Sequence, residues 1–413
     1  MIHSSLQDFH PLVAQWFTET FGAPTPPQAE GWPRIAAGEN VLLLAPTGSG
    51  KTLAAFLKAI DGLYREKEQD ATVLKLGTAR NPGVKILYVS PLKALNNDIY
   101  RNLELPLKGI REYSAKLGRE LPEITRAVRS GDTPGAERQR MLRRPPEILI
   151  TTPESLFLML SSKARAILKT VRCVIVDEIH TLFTEKRGAY LALSLERLES
   201  LVAEAAGPGE RLQRIGLSAT IRPLEEVAAF LGGYELDPVR GGYRPRPVTI
   251  VDTGQRKELD LQIVLPVPNL RELPEKTIWP SIYQQVLDLV HQHRSTLVFV
   301  NNRRLAERVT ANLNKLAGEE IARTHHGSLS REIRLEVERK LKSGELKCVV
   351  ATASLELGID VGEVDLVIQL ESPKEVARGL QRVGRAGHVL NLPSKGRIIP
   401  KNRADLLEAV ALL

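Results

Sequence analysis

The chain has 413 residues, of which 43% are hydrophobic and 26% charged, and this is typical of a globular protein with two domains. Two distant cysteines, Cys173 and Cys348, exclude a disulfide framework, a zinc site and an iron–sulfur cluster, and no apolar run reaches the roughly 18 residues of a membrane span. A net charge of +8 favours polyanionic partners, nucleic acid first, and we expect a reducing cytoplasm as the compartment.

Short apolar runs, each followed by a helical pattern, recur in two series along the chain. This alternation is typical of a parallel sheet that helices cover on both faces. A stretch rich in Gly, Pro and Arg separates the series, so we predict a first domain over residues 1–235, a linker over 236–250 and a second domain over 251–413. The runs are 41–45, 84–89, 148–150, 171–176 and 215–217, then 296–300, 321–325, 348–351 and 366–370.

The segment Ala45–Thr52 follows the first apolar run and opens a helical pattern. Its glycines let backbone N–H groups surround phosphate oxygens, and the helix N-terminus adds partial positive charge. In such a loop Lys51 reaches the β- and γ-phosphates, and the Thr52 hydroxyl ligates Mg²⁺. The predicted nucleotide-binding residues of this loop are Thr47, Gly48, Ser49, Gly50, Lys51 and Thr52.

Asp177 and Glu178 come directly after the apolar run 171–176. A carboxylate at the end of a strand can hold Mg²⁺, and its neighbour can position and deprotonate the attacking water. Adjacent carboxylates repel each other, so such a pair is costly without a role. We therefore predict Asp177 as the metal ligand and Glu178 as the catalytic base, and we count Lys51 as a further catalytic residue.

Four motifs occur in the order that superfamily 2 helicases show, namely Ala45–Thr52, Asp177–His180, Ser218–Thr220 and Gln381–His388. Within that superfamily the chain is similar to the Lhr (large helicase-related) group, through segments 90–98, 151–155 and 351–360. The resemblance implies an α/β fold of two RecA-like domains, each a mostly parallel sheet with helices on both faces. It also implies one nucleotide site in the cleft between them. Family members have further domains after the second one, so we expect a longer parent chain.

Loops after the strands carry the residues that this family uses to track a nucleic-acid backbone. Ser90 and Thr152 each precede a proline, so each is expected to cap a helix whose N-terminus can bind phosphate. Two well-capped helices without a ligand would show the same spacing, and the resemblance favours the binding role. The predicted nucleic-acid contacts are Ser90, Pro91, Lys93, Gly131, Asp132, Thr152, Pro153, Asn301, Arg303, His326, Gly327 and Thr352.

Arg385 is the expected arginine finger, because a guanidinium neutralises charge that builds on phosphoryl oxygens in the transition state. Many superfamily members carry a second finger three residues later, where this chain has His388. Arg382 is the second candidate for the arginine finger, because the usual role of an arginine at that position is structural. The resemblance further implies that Gly358 and Asp360 approach the nucleotide, and that His180, Ser218, Thr220 and Gln381 couple the nucleotide state to nucleic-acid binding.

Adenine selection is expected from Gln28, which follows a segment resembling the Gln motif of related helicases. A carboxamide can pair with both N6 and N7 of adenine, which guanine cannot match. The alternative is a surface glutamine after a proline turn. The expected cofactors are therefore ATP and Mg²⁺.

The resemblance implies an ATP-dependent helicase or translocase that moves 3′ to 5′ on single-stranded DNA, acts on DNA or RNA:DNA duplexes and serves DNA repair. We expect a monomer without a membrane partner. An ATP-dependent RNA helicase or ribonucleoprotein remodeller would use the same motifs, because both read phosphates, and stimulation of the ATPase by DNA or RNA separates them. A binding module without ATP turnover is a third alternative, against which the intact Lys51, Asp177, Glu178 and Arg385 argue.

Overall fold

The structure is a computed structural model in which the chain forms two compact units. Residues 1–45 and 49–255 form one unit, and residues 256–413 together with residues 46–48 form the other; we refer to them as the first and second domain. The described residues are 3–46, 49–74, 83–91, 99–100, 103–183, 185–207, 211–219, 223–237, 239, 241–254, 258–270, 278–356, 362–387 and 393–412.

The first domain is built on a parallel sheet. Its strands are β1 (Val41–Leu44), β2 (Ile86–Val89), β3 (Arg126–Arg129), β4 (Ile148–Thr151), β5 (Cys173–Val176), β6 (Gln213–Ser218) and, after a separate antiparallel hairpin of β7 (Tyr234–Leu236) with β8 (Tyr243–Pro245), β9 (Thr249–Asp252). The order across the sheet is β3-β4-β2-β5-β6-β1-β9. The inner strands β1, β2, β4 and β5 are buried along their whole length, which explains their continuous apolar sequences.

Helices cover both faces of this sheet and create two apolar layers. They are α1 (Pro11–Phe21), α2 (Pro26–Ala36), α3 (Lys51–Leu74), α4 (Glu104–Lys116), α5 (Gly135–Arg143), α6 (Pro153–Leu160), α7 (His180–Phe183), α8 (Lys186–Ala206) and α9 (Leu224–Gly232). Successive strand residues point to opposite faces. Leu43 and Tyr88 accordingly lie in one layer, while Leu42 and Leu87 lie in the other.

The second domain repeats the same design. Its strands are β10 (Leu259–Ile263), β11 (Thr296–Phe299), β12 (Ala322–His325), β13 (Cys348–Ala351), β14 (Leu366–Leu370) and β15 (Ser394–Ile399). They pair in parallel in the order β10-β15-β14-β11-β13-β12. The helices are α10 (Trp279–His291), α11 (Arg303–Ala317), α12 (Arg331–Lys342), α13 (Val376–Val383) and α14 (Arg403–Leu412). The predicted fold class, two parallel α/β sheets, is confirmed.

The predicted domain boundary lies too early in the chain. Residues 249–252, divided at sequence level between the linker and the second domain, form β9 and pair in parallel with β1 at the edge of the first sheet. The first strand of the second domain is β10, which begins at Leu259. The Gly- and Pro-rich stretch marks the hairpin and turn before the last strand of the first sheet, and its composition resembles that of a linker.

The two cysteines are buried in different sheets, Cys173 in β5 and Cys348 in β13, and both are free thiols. Burial raises the pKa of each thiol to about 12, so both stay protonated at neutral pH. Across the part of the chain that the structure describes, no helix combines the length and the apolar character that crossing a bilayer requires.

Candidate nucleotide and nucleic-acid sites

The carboxyl edge of the first sheet brings most of the predicted first-domain residues together. Parallel strands end at the same edge, so the loops that follow them lie side by side. Three neighbouring strands, β5, β6 and β1, lead to Asp177, Ser218 and Ala45. The three strands on the far side of β5, namely β3, β4 and β2, lead to Ser130, Thr152 and Ser90. One half of this edge thus carries the candidate nucleotide-binding residues, and the other half carries the candidate phosphate-binding loops.

The phosphate loop joins β1 to α3, whose first residue is Lys51. Gly50 has φ of +79°, a conformation that favours glycine. The buried Lys51 lies against its own loop, and its Nζ donates to the Ala45 carbonyl oxygen at 3.1 Å. Ser49 is also buried, and its carbonyl oxygen accepts a hydrogen bond from Thr25 Oγ1 at 2.8 Å. Two predicted loop residues, Thr47 and Gly48, lie outside the described residues.

Gln28 is buried against the phosphate loop. Its Oε1 accepts a hydrogen bond from the Thr25 backbone N–H at 2.9 Å, and its Nε2 donates to the Gly50 carbonyl oxygen at 3.4 Å. A carboxamide has two acceptor lone pairs and two donor hydrogens, so one of each remains for adenine. The structure therefore links Gln28 to the loop, and its recognition of adenine stays a prediction.

Replacing Gly50 with alanine is expected to weaken nucleotide binding and to cost about 1–2 kcal/mol of stability, because an L-residue is strained at positive φ. The added Cβ would also lie 2.6 Å from Gln28 Nε2 and push it off the loop. Gly38→Ala is the matched control, since Gly38 has φ of +76° and open space around its Cβ position. Chemical denaturation and titration with a fluorescent ATP analogue should show similar stability losses but reduced nucleotide affinity in Gly50→Ala alone. Equal nucleotide affinities would contradict this.

The carboxylate pair lies at the end of β5 and both side chains are buried. Glu178 has φ of +46°, a strained conformation for a residue with a side chain. Its backbone N–H donates to Asp177 Oδ1 at 2.9 Å. Burial and the neighbouring Glu178 raise the pKa of Asp177 to about 6, against the opposing effects of Tyr88 and Lys51. Two carboxyl groups therefore lie buried side by side, an arrangement that favours a bound cation.

This donor set fits a divalent cation. Within the described ranges no three His, Cys, Asp or Glu side chains come together as a metal-binding cluster. Mg²⁺ carried by a nucleotide needs only one or two protein oxygens, because phosphates and waters fill its other positions. A cation beside Asp177 would relieve the repulsion that raises the pKa of that carboxyl. Asp177 and Thr52 are therefore retained as the residues that would hold it.

Tyr88 is a site residue that the sequence analysis missed. It lies in β2, its ring stacks on Phe56 of α3 at 4.8 Å, and its hydroxyl donates to Asp177 Oδ2. Burial and the nearby Asp177 hold the pKa of Tyr88 well above its ordinary value, so the hydroxyl keeps its proton. The available signal was a single tyrosine in an otherwise aliphatic strand. Its hydroxyl orients the Asp177 carboxylate.

Two of the predicted coupling residues meet beside Glu178. The His180 Nδ1 lies 3.0 Å from Ser218 Oγ and 3.5 Å from Glu178 Oε2. Burial lowers the pKa of His180 despite the opposing charge of Glu178, so the ring is neutral at pH 7. Thr220 lies outside the described residues. Gln381 is half-buried on α13 of the second domain.

The first-domain loops confirm one predicted helix cap. Thr152 Oγ1 accepts a hydrogen bond from the Ser155 backbone N–H, and Pro153 is the first residue of α6. Ser90 is buried, and its backbone N–H donates a hydrogen bond to the Thr151 carbonyl oxygen at 3.0 Å. The segment after Pro91, including Lys93, lies outside the described residues. In the exposed turn of Gly131 and Asp132, the Gly131 carbonyl oxygen accepts from Arg138 Nη2 at 2.9 Å.

Three adjacent second-domain strands, β11, β13 and β12, end at the remaining predicted contacts. Asn301 and the exposed Arg303 follow β11, His326 and Gly327 follow β12, and Thr352 follows β13. His326 Nε2 lies 2.8 Å from Glu307 Oε1, within hydrogen-bond distance. The structure brings these five residues to one edge, and their contacts with nucleic acid stay predictions.

The two candidate arginines of the second domain have different surroundings. Arg382, on α13, is 3% exposed and donates to Glu356, Gln369 and Asn301 at 2.7–3.4 Å. This guanidinium is committed to holding β14 and two loops together, which is a structural role. Arg385 is also buried and follows the end of the same helix. Gly358, Asp360 and His388 lie outside the described residues.

Comparison with known proteins identifies both halves of the chain. Residues 25–227 match the family model described as DEAD/DEAH box helicase, and residues 281–389 match the helicase conserved C-terminal domain. The chain is 49% identical to the Lhr helicase/probable uracil glycosylase of Mycolicibacterium smegmatis, over 97% of this chain and 27% of that protein. It is also 49% identical to the ATP-dependent helicase Lhr-Core of Methanothermobacter thermautotrophicus, over 100% of this chain and 46% of that protein.

A solved structure of the Mycobacterium smegmatis helicase Lhr bound to ssDNA and AMP-PNP is 50% identical and superposes with a TM-score of 0.86. The match covers 99% of this chain and 50% of that one. The chain thus spans less than half the length of the curated relatives described above. The two helicase domains, the order of their motifs and this fold agree, and the chain belongs to the Lhr group of superfamily 2 helicases.

Proposed function

We propose that this chain is the motor core of an ATP-dependent helicase or translocase that couples ATP hydrolysis to movement along single-stranded nucleic acid. The observation that carries the proposal is the carboxyl edge of the first sheet. There the phosphate loop and the carboxylate pair adjoin the candidate phosphate-binding loops after β2, β3 and β4. The relative solved with ssDNA and AMP-PNP supports both ligands.

In the proposed reaction, the loop amides and Lys51 bind the phosphates of ATP. Asp177 and Thr52 would hold Mg²⁺, which when bound would supply positive charge to the phosphates. Glu178 orients the attacking water and accepts its proton. Tyr88 keeps the Asp177 carboxylate in place, since it donates to the oxygen that Glu178 N–H does not occupy.

The proposed coupling starts at Glu178. Its carboxylate shares His180 with Ser218, the last residue of β6, so a change at Glu178 on hydrolysis can reach the neighbouring loop. Thr220 and Gln381 are retained as further coupling residues. Arg385 of the second domain is proposed to neutralise transition-state charge, with Gly358 and Asp360 beside the nucleotide.

The proposed substrate is single-stranded DNA or an RNA:DNA hybrid, with movement 3′ to 5′, by a monomer, in the cytoplasm and in DNA repair. The resemblance to Lhr proteins supports the substrate and the direction of movement in this more detailed assignment. The predicted contacts lie at loops and helix N-termini, which are groups that bind the backbone of a strand. Binding should therefore be nearly independent of sequence.

Single-strand binding measured by fluorescence anisotropy tests the proposal. Affinity should fall about ten-fold or more as salt rises from about 50 to about 200 mM, because counterions are released from each neutralised phosphate. Affinity with AMP-PNP and with ADP should differ by about five-fold or more, as expected for coupled sites. RNA of the same sequence distinguishes a DNA motor from an RNA helicase. An affinity for single-stranded nucleic acid that changes neither with salt nor with the bound nucleotide would contradict the proposal.

A further inference from the structure

Arg187, the second residue of α8, holds two of the candidate phosphate-binding loops together. Its Nη2 donates to the Pro91 carbonyl oxygen at 2.6 Å, and its Nε donates to Glu154 Oε1 at 2.6 Å. Pro91 follows β2, and Glu154 lies in the first turn of α6 after the neighbouring strand β4. One planar guanidinium therefore sets the spacing of both loops through directional hydrogen bonds.

The same contact neutralises a charge at the candidate phosphate site. Glu154 directly follows Pro153, and its side chain is 51% exposed. Partial burial raises the pKa of Glu154, but the hydrogen bond and charge of Arg187 and a backbone hydrogen bond hold it below the ordinary value. The carboxylate is therefore ionised at neutral pH. Without Arg187 it would repel a phosphate at the N-terminus of α6.

A short, closely packed stretch connects Arg187 to the carboxylate pair. The helix α7 begins two residues after Glu178, and the Glu185 backbone N–H donates to the Leu182 carbonyl oxygen at 3.1 Å. Gly188 allows the first turn of α8 to lie against α7, since a Cβ there would come within 2.1 Å of that same oxygen. Because α8 packs closely on α7, a displacement of Glu178 is expected to move Arg187 as well.

We propose that Arg187 is a positioning residue that couples the carboxylate pair, Asp177 and Glu178, to the affinity of the loops after β2 and β4 for nucleic acid. It acts through the spacing of Pro91 and Glu154 and through the charge of Glu154. The inference rests on the proposed function, because it presumes that these loops bind a nucleic-acid backbone.

Arg187→Ala in the full chain is the first test, with Arg197→Ala as the matched control. Arg197 lies on the same helix and joins it to the other end of α6, where its Nη2 donates to the Leu160 carbonyl oxygen at 3.2 Å. Loss of the charge-assisted bridge should weaken single-stranded DNA binding about ten-fold. The ratio of DNA-stimulated to basal ATP turnover should fall as well. Arg197→Ala should retain the wild-type affinity and ratio.

Two further variants separate positioning from loss of fold. Arg187→Lys keeps the charge without the planar fork. This variant should bind single-stranded DNA nearly as well as the wild type, but its ratio of DNA-stimulated to basal ATP turnover should be lower than that of the wild type. Adding Glu154→Gln to Arg187→Ala removes the exposed carboxylate and should recover about two- to five-fold in affinity. A purely structural role predicts no such recovery.

The proposal is overturned if Arg187→Ala matches Arg197→Ala in both affinity and stimulation ratio. If Arg187→Ala does not fold, a wild-type ratio in Arg187→Lys overturns it equally. Failure of the proposed function looks different, since the wild-type protein itself would then show no stimulation by nucleic acid.

Discussion

Replacing Glu178 with glutamine is expected to lower ATP turnover by about 10²–10⁴-fold, the usual contribution of a general base. Glutamine keeps the shape of the side chain but cannot accept a proton from water. The fold should be preserved, because the substitution removes the repulsion that helps to raise the pKa of Asp177. Single-turnover hydrolysis measures the rate of the chemical step, and titration with a fluorescent ATP analogue measures the nucleotide affinity separately. Nucleotide affinity should stay close to that of the wild type.

Glu185→Gln is the control for this prediction. Glu185 is an exposed acid seven residues further along, at the start of α8. Its loss should leave turnover within about two-fold, as for surface positions in general. If Glu178→Gln turned over ATP at a rate similar to Glu185→Gln, another group would have to activate the water.

Arg382→Ala is expected to lower the free energy of unfolding of the second domain by about 3–5 kcal/mol, the cost of breaking a buried ion pair. The guanidinium gives two hydrogen bonds to Glu356 Oε2, at 3.0 and 3.1 Å, and one to Gln369 Oε1 at 2.7 Å. Among the described residues, removing it leaves the buried Glu356 carboxylate with the longer contact from Arg378 at 3.5 Å. Hydrogen exchange of β14 in the full chain, followed by mass spectrometry, reports the local loss of stability.

Arg385→Ala on the same segment provides the contrast. If Arg385 is the arginine finger, its loss should reduce ATP turnover by about 10³-fold or more. Exchange of β14 should be less affected than in Arg382→Ala, because the contacts to Glu356 and Gln369 remain. The division of roles would be wrong if Arg382→Ala left exchange unchanged, or if Arg385→Ala kept full turnover.

The positions of the candidate functional loops could be predicted from sequence because parallel strands bring their ends together. Lys51, Asp177 and Thr152 each follow a short apolar run, and the structure brings all three to the same edge. Their spacing needs no knowledge of distant contacts. The same logic located the second-domain loops at Asn301 and His326.

The residues that hold these loops in place could not be predicted in the same way. Tyr88 reaches Asp177 across 89 positions of sequence, and Arg187 reaches Pro91 across 96. Such pairs depend on which strands and helices become neighbours, and local patterns do not contain that information. The late start of the second domain was missed for the same reason, since only pairing with β1 shows that Thr249–Asp252 belongs to the first sheet.

The central claim is that one edge of the first sheet couples ATP hydrolysis to nucleic acid. Steady-state ATP turnover by the wild-type chain, without nucleic acid, with single-stranded DNA and with RNA of the same sequence, tests it most directly. The account predicts strong stimulation by DNA, which Glu178→Gln abolishes. A rate that neither nucleic acid changes would contradict it.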